Sequence, residues 1–473
     1  MNYLALLPAI LMALFGCATL VLDVLARPGE RRSWLIWFNL FGQGLIAYSF
    51  FRQWQALQVM ATGESITAWQ NAIAVDGLSL FTNTLVWLSV VVLLLTSYRF
   101  LEIVHEHRGE YYALAIFAQC GMYFMASGID LVALFIGLEL TAIGFYILVG
   151  FTRTDRRSNE AALKYLLLGA LSSGFLLYGF SLFYGLSGST SLADIAESLK
   201  QNDVFALIAT ITITVGLLFK ISAAPFHNWA PDAYDGAPTP IVGYLSVASK
   251  IASFAVLMRL PLKNPAWLPI LSVAAVLSLT IGSIAAITQE RVKRLFAYSG
   301  IAHAGYALLG LVAGSTEGVY VYLLVYAVMN LGAFAVLTSL RRHGILGERL
   351  SDLRGLSQTH PLHAALFAVL LLSLAGVPPT AGFIGKYVIF AALIQTGHIG
   401  LAVIGALYVV VSLYFYFRLV REMYLEPVQA LDRPAQPLAA SFGVRVALIA
   451  TSALTLAIGL FPQPALTLLN YAK

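Results

Sequence analysis

The sequence predicts an all-α polytopic membrane protein with about 14 transmembrane helices, and its composition and length are the observations that predict this class. Of the 473 residues, 59% are hydrophobic and only 11% are charged, whereas a soluble domain has about 25% charged residues. The mean hydropathy is +0.82. At about 20 apolar residues per span plus short loops, the chain has room for roughly 14 spans.

The apolar runs define fourteen predicted spans, called H1 to H14. Their approximate bounds are 2–26, 32–51, 76–100, 110–127, 129–150, 159–186, 203–229, 239–260, 266–287, 291–313, 317–341, 361–396, 399–424 and 441–462. H1 is interpreted as a span because the run from Tyr3 to Leu25 is too long for the apolar core of a signal peptide, lacks leading basic residues and contains Asp23.

The lysines and arginines of the loops predict the orientation. Alternate loops place 18 of them on one side and five on the other, and by the positive-inside rule both termini lie outside, which requires an even number of spans. The 18 are Arg27, Arg31, Arg32, Arg99, Arg108, Arg153, Arg156, Arg157, Arg291, Lys293, Arg294, Arg341, Arg342, Arg349, Arg354, Arg418, Arg421 and Arg433, and the five are Arg52, Lys200, Arg259, Lys263 and Lys473.

Two of the predicted spans contain proline breaks. As one helix of 36 residues, H12 would extend about 54 Å, far beyond the roughly 30 Å hydrocarbon core, so Pro378 and Pro379 are predicted to break it. H7 carries Pro225 five residues after Lys220, and H12 carries Lys386 soon after its own prolines. A lysine beside a break thus occurs in both helices.

These two helices occupy matching places in a predicted internal repeat. H4–H8 and H9–H13 form two five-helix blocks, and an odd number of helices inverts the second block relative to the first. Broken helices at matching positions of inverted repeats indicate a transport site. The predicted units are residues 1–104, 105–263 (first repeat), 264–428 (second repeat) and 429–473.

Four ionisable residues lie near the middle of predicted spans, namely Glu139, Lys220, Lys250 and Lys386. A lysine at the bilayer centre costs roughly 2.5–3.5 kcal/mol on insertion scales, so such residues are by default functional candidates. Glu139 is the only mid-membrane acid and is the predicted counter-ion of Lys220. The other two lysines have no acid at their depth, and burial disfavours a charged amine, so they are candidates to accept and release protons.

A structural role for these charges is the alternative. A single pair such as Glu139–Lys220 could equally tie two helices together, whereas three mid-span lysines against one acid favour proton transfer. Lys164, about one and a half turns inside H6, is ambiguous because its stem could snorkel to the surface. His227 could relay protons beside the Pro225 break or cap the broken end, and His303 could bridge Lys250 and Lys386 or make a packing hydrogen bond.

Other chemistries find little support in the sequence. Cys17 and Cys120 both fall in predicted spans and form no CxxC pair, so no iron–sulfur, zinc or other metal site is expected. No Walker motif is present, and no GxGxxG segment opens a helix after a strand. The net charge of +5 is divided among short loops and is not a nucleic-acid signal.

Several segments resemble the antiporter-like subunits of respiratory complex I over all fourteen spans. Among those subunits, the N type of bacterial NADH:quinone oxidoreductase fits best, because H8 and H12 carry lysines and the chain stops after H14. L- and M-type subunits and Mrp-type antiporters usually have histidine in H8. The segments are LFIGLELTAIGFYILVG with Glu139, GLLFKISAAPFHNWAPDAYDGAPTP with Lys220 and His227, YLSVASKIA with Lys250, QERVKRLFAYSGIAHAGY with His303, and SLAGVPPTAGFIGK with Lys386.

The resemblance implies a role for each of these residues in a proton-translocating membrane subunit. Glu139 and Lys220 correspond to the coupling ion pair, with Lys164 as a neighbour that competes for the acid. Lys250 corresponds to the central relay and Lys386 to the terminal site, with His303 on the path between them.

The resemblance also implies the setting of the chain. It lies in the bacterial inner membrane with both termini periplasmic, beside an M-type subunit and small K-, J- and A-type subunits. It holds no redox centre, since NADH, FMN, iron–sulfur clusters and quinone belong to other subunits of the complex. The alternatives are an Mrp-type cation/proton antiporter subunit and a non-pumping structural subunit.

Overall fold

The computed structural model describes residues 3–26, 32, 34–60, 64–104, 106, 108–199, 204–262, 265–340, 348–427, 442–464 and 466. Several residues used to predict the topology lie outside this part, namely Arg27, Arg31, Lys200, Lys263, Arg341, Arg342, Arg433 and Lys473. Three predicted unit boundaries, at 104/105, 263/264 and 428/429, also involve residues outside it.

Helices dominate the described part of the chain. They are α1 Tyr3–Leu25, α2 Trp34–Val59, α3 Gly77–Val104, α4 Gly109–Ser127, α5 Leu131–Val149, α6 Arg156–Ser187, α7 Leu192–Ser198, α8 Val204–Lys220, α9 Trp229–Gly236, α10 Thr239–Tyr244, α11 Lys250–Arg259, α12 Trp267–Ile287, α13 Val292–Val312, α14 Thr316–Leu340, α15 Leu356–Thr359, α16 Pro361–Ala375, α17 Ala381–Gln395, α18 Ile399–Tyr424 and α19 Phe442–Leu460. A π-helical turn, Leu245–Ser249, joins α10 to α11, and a 3₁₀ turn covers Leu350–Leu353.

Within the described residues, eleven segments are long and apolar enough to cross a membrane by length and composition. The shorter apolar helices α8, α16 and α17 flank the two breaks. The segment Thr239–Arg259 and helices α13 and α14 are almost wholly buried, whereas most of the apolar stretch of α18 is not. A multi-span helical membrane protein is therefore confirmed, and its most enclosed helices are those around Lys250.

The first predicted break is confirmed, but it begins earlier than the proline. α8 ends at Lys220, so this lysine lies at a helix terminus and not near the middle of a continuous helix. The backbone N–H of Ala224 donates to Ser278 Oγ at 2.8 Å, and Trp229 Nε1 donates to the Phe219 carbonyl at 2.9 Å. The first bond pairs a backbone N–H of the interruption with a side chain on α12, and the second adds an indole donor to a carbonyl that also accepts from the N–H of Ser222 at 2.9 Å.

The second predicted break is also confirmed. α16 ends at Ala375, and Gly376 follows with φ +91°, a left-handed conformation that glycine adopts without a steric penalty. α17 begins at Ala381, and the N–H of Gly382 donates to Ser373 Oγ at 3.0 Å. Lys386 is thus carried one and a half turns into the second half-helix.

Several elements lie between the predicted spans or interrupt one of them, among them the 3₁₀ turn and α15 between H11 and H12. β1 (Ile66–Ala68) and β2 (Ile73–Val75) form an antiparallel hairpin between α2 and α3, with Ile66 opposite Val75. The short helix α7 lies between α6 and α8. The π-helical turn interrupts predicted H8 directly before Lys250, and such turns frequently occur at functional sites.

Candidate functional site

Glu139 and Lys220 lie close together, but their contact is loose. Lys220 Nζ is 4.0 Å from Glu139 Oε1, and the Lys220 side chain is 7% exposed. The carboxylate accepts a hydrogen bond from Ser173 Oγ on α6. Lys220 Nζ is buried and has no hydrogen-bond partner among the residues that the structure describes. The acid therefore supplies a nearby negative charge without fixing the amine by a hydrogen bond.

Lys164 does not lie beside Glu139, so the expectation that it competes for this acid is wrong for this structure. Its Nζ is 2.9 Å from Glu160 Oε1 and 3.0 Å from Asp232 Oδ2, and its side chain is 46% exposed. Ser173, which contacts Glu139, lies nine residues further along α6. That spacing is about 13 Å along a helix axis, beyond the reach of a lysine side chain.

Lys250 is held by backbone rather than by an acid. Its side chain is buried, and Nζ donates to the carbonyl oxygen of Gly300 on α13. Nζ also lies 6.0 Å from the centre of the Tyr326 ring. Within the described part of the chain, no carboxylate lies within ion-pair distance of this amine. The amine therefore has a partner that accepts a hydrogen bond in either protonation state.

Lys386 has a similar environment at the second break. Nζ donates to the carbonyl oxygens of Leu374 at 3.2 Å and Ala375 at 2.7 Å, and it lies 4.9 Å from the centre of the Tyr306 ring. The last carbonyls of a helix have no intrahelical donor. Two of these carbonyls, at the end of α16, are bound by the lysine itself.

His303 lies on α13 between Gly300, whose carbonyl Lys250 contacts, and Tyr306, whose ring lies near the Lys386 amine. Its Nδ1 is 2.7 Å from Tyr322 Oη and its Nε2 is 3.1 Å from Tyr416 Oη. Gly300, His303 and Tyr306 recur every three residues on α13, so one face of that helix meets Lys250, the imidazole and Lys386 in turn. A neutral imidazole donates from one nitrogen and accepts at the other, so it can pass a proton between its two tyrosine partners.

The tyrosines of this site were missed by sequence reasoning. All four are buried: Tyr306 on α13, Tyr322 and Tyr326 on α14, and Tyr416 on α18. The spacing of four between Tyr322 and Tyr326 places both on one helix face, which was the one available local signal. Their meeting with His303 depends on packing between distant parts of the chain.

His227 lies in the first break and is half-buried. Its backbone carbonyl accepts from the N–H of Ala230 at 3.0 Å, so the main chain makes the local turn. Its Nδ1 is buried without a hydrogen-bond partner in the described residues.

Among the described residues, no group of three or more His, Cys, Asp and Glu side chains is arranged to hold a metal ion. The site is instead a row of buried amines, an imidazole and phenols. Such groups can accept, hold and release protons.

Comparison with known proteins gives one consistent family. The family described as NADH:quinone oxidoreductase/Mrp antiporter, TM, matches residues 128–412. NADH-quinone oxidoreductase subunit N 2 of Solibacter usitatus is 52% identical over 99% of this chain and 96% of its own length. Subunit N 1 of Koribacter versatilis is 46% identical over 100% of this chain and 95% of its own length.

A solved structure agrees with the sequence comparison. A chain of respiratory complex I from Thermus thermophilus, determined with bound aureothin, superposes with a TM-score of 0.83 at 34% identity, covering 97% of this chain and 98% of that one. The chain therefore belongs to the family of NADH-quinone oxidoreductase subunit N proteins.

Proposed function

We propose that this chain translocates protons as the antiporter-like subunit N of a bacterial type I NADH:quinone oxidoreductase. The observation that carries the proposal is the set of three buried amines, none of which is hydrogen-bonded to a carboxylate in the described residues. An amine fixed by a carboxylate stays charged, whereas one held by carbonyls or by none can change protonation state.

Glu139 and Lys220 form the coupling end of the proposed route. Their 4.0 Å separation lets a change in the position or protonation of the acid alter the charge that Lys220 prefers. Because Lys220 ends α8, a movement of the break also moves the amine. A conformational or electrostatic signal from elsewhere in the complex could therefore load or unload this lysine.

The central and terminal steps follow α13. A proton on Lys250 passes toward His303, whose two nitrogens contact Tyr322 and Tyr416, and then toward Lys386 near Tyr306. Lys386 is the terminal donor.

Two further residues lie at the first break. We assign His227, whose buried Nδ1 has no partner in the described residues, to holding water there. Lys164 acts through Asp232 on half-helix α9 and not through Glu139.

The proposed architecture has fourteen spans with both termini periplasmic. α8 with α9 and α16 with α17 are the broken helices of two inverted five-helix repeats, residues 105–263 and 264–428, flanked by units 1–104 and 429–473. The lysine-bearing breaks at Lys220 and Lys386 support this symmetry.

The proposed partners are those of a respiratory complex in the bacterial inner membrane. We place this chain beside an M-type antiporter-like subunit and small K-, J- and A-type subunits. NADH, FMN, iron–sulfur clusters and quinone are assigned to other subunits, so electron transfer there drives proton movement here. The names of the related subunits and the complex I structure support this assembly.

Replacing Lys220 by methionine tests the proposal in the assembled complex. We expect normal assembly with a loss of proton pumping in proteoliposomes, because the apolar side chain fits a buried site but carries no proton. Arg52→Gln is the control, since Arg52 is exposed on α2 and bonds Tyr48. Unchanged proton pumping in Lys220→Met would contradict the proposed mechanism. Sodium-dependent transport by the assembled complex would favour the Mrp-type alternative.

A further inference from the structure

Tyr234 carries a buried hydroxyl that the route above does not use. It lies on α9, the half-helix that follows the first break, and is 1% exposed. Its Oη has no hydrogen-bond partner among the residues that the structure describes. Buried hydroxyls in native proteins nearly always have a partner, either protein or ordered water. This hydroxyl therefore points to a ligand that can form hydrogen bonds.

The Tyr234 hydroxyl approaches the same small volume as the Lys250 amine. A Cβ built on Gly300 would lie 3.0 Å from Lys250 Nζ, 3.3 Å from Tyr326 Oη and 4.0 Å from Tyr234 Oη. Three polar atoms from α9, α11 and α14 thus surround one point beside Gly300. Lys250 donates to the Gly300 carbonyl and Tyr326 to the Ser246 carbonyl.

The distances at this junction suit water. Nζ and Tyr234 Oη make no direct hydrogen bond, and because both lie within 4.0 Å of one point they are at most about 7 Å apart. One or two waters span a gap of that size with ordinary hydrogen bonds. A buried water needs two to four polar partners, and the amine and two hydroxyls provide three.

We propose that Tyr234 is a positioning residue that holds a water against Lys250 and so links the first helix break to the central lysine. This inference rests on the proposed proton translocation. When an excess proton reaches that water, one O–H bond of the hydronium breaks and one N–H bond of the neutral Lys250 amine forms. A neutral water remains bonded to the Tyr234 hydroxyl, and no electron is transferred.

Tyr234→Phe tests the inference in the assembled complex, because it removes only the oxygen. We expect proton pumping in proteoliposomes to fall about five- to tenfold, the factor that corresponds to one lost hydrogen bond. Tyr244→Phe is the matched control, since Tyr244 is equally buried but donates to the Ala115 carbonyl at 3.0 Å. Equal losses in the two variants would assign Tyr234 a packing role only and overturn the inference.

Two further variants separate this inference from the proposed function. Tyr234→His should restore at least part of the pumping, because an imidazole can also hold water, whereas a purely structural role would gain nothing from it. Lys250→Met is measured in parallel. If Lys250→Met stops pumping and Tyr234→Phe pumps normally, the inference fails and the proposed function stands; normal pumping in Lys250→Met contradicts the function itself.

A structural measurement decides the question if the Tyr234 variants do not assemble. A density map of the wild-type complex should show an ordered water within hydrogen-bond distance of Tyr234 Oη on the side of Lys250. A map with this oxygen bonded directly to protein, or surrounded only by carbon, would overturn the inference.

Discussion

Lys386 Nζ donates a 2.7 Å hydrogen bond to the carbonyl oxygen of Ala375, the last residue of α16. The carboxyl end of a helix carries partial negative charge, so it can accept from an amine without a carboxylate. A carboxylate would strongly favour the ammonium form, whereas a carbonyl accepts from either form. The break in the helix therefore creates a site where a buried lysine can exchange its proton.

Gly376 is expected to be essential to that site. Gly376→Ala adds a Cβ about 2.9 Å from Lys386 Cδ at a residue with φ +91°, so it should strain the backbone by about 1–2 kcal/mol and displace the lysine. Gly314→Ala is the control, since its φ is +64° but nothing lies within 4 Å of the added carbon. The rate of thermal inactivation of the complex should rise in both variants, whereas the rate of proton pumping should fall only in Gly376→Ala.

Replacing either of the two carbonyl-bound lysines by arginine should stop proton pumping. Lys250→Arg and Lys386→Arg keep a hydrogen-bond donor, but a guanidinium does not lose its proton in proteins. Lys164→Arg serves as the control, because Lys164 is paired with Glu160 and Asp232 and can stay charged. Proton uptake by proteoliposomes checks this, and full pumping by either of the first two variants would argue for a fixed charge there.

His303→Gln should slow pumping at least tenfold. The amide can still contact Tyr322 and Tyr416, but it cannot pass a proton from one side to the other, and positioned acid–base groups typically contribute 10²- to 10⁴-fold. Tyr416→Phe leaves the shorter contact between His303 and Tyr322 in place, so it should slow pumping less than His303→Gln does. Pumping by His303→Gln at the wild-type rate would assign this histidine to packing alone.

Ser278→Ala should destabilise the first break. It leaves the N–H of Ala224 without its 2.8 Å partner, at a cost of about 1–3 kcal/mol. Ser272→Ala, on the same helix, removes only a bond to its own backbone and should change stability by less than about 0.5 kcal/mol. Thermal unfolding of the detergent-solubilised complex measures both variants, and equal midpoints would show that the break needs no support from α12.

The sequence was sufficient to predict that both helices break and which lysines are buried. A proline in a helix interior removes a backbone hydrogen bond and favours a break, as at Pro225 and Pro378, and a charge at bilayer depth stands out in an apolar run, so both signals are local. The position predicted for Lys220 within its helix was wrong, because α8 ends at this residue, five residues before the proline.

The partners of those lysines could not be predicted from local signals. Lys250 meets Gly300 and His303 meets Tyr416, which is 113 residues away along the chain. The π-helical turn before Lys250 has no marker in the letters LSVAS. Lys164 was assigned to Glu139 by family resemblance, although the helix rise separates it from the level where Ser173 meets that acid.

The most direct test of the central claim is a density map of the whole complex at a resolution that shows ordered water. We expect a hydrated route that joins Lys220, Lys250 and Lys386. The route should pass His303 and the two tyrosines that contact it, Tyr322 and Tyr416. A map in which these nitrogens contact only protein oxygens, such as the carbonyls of Gly300 and Ala375, with no water between them, would contradict the account.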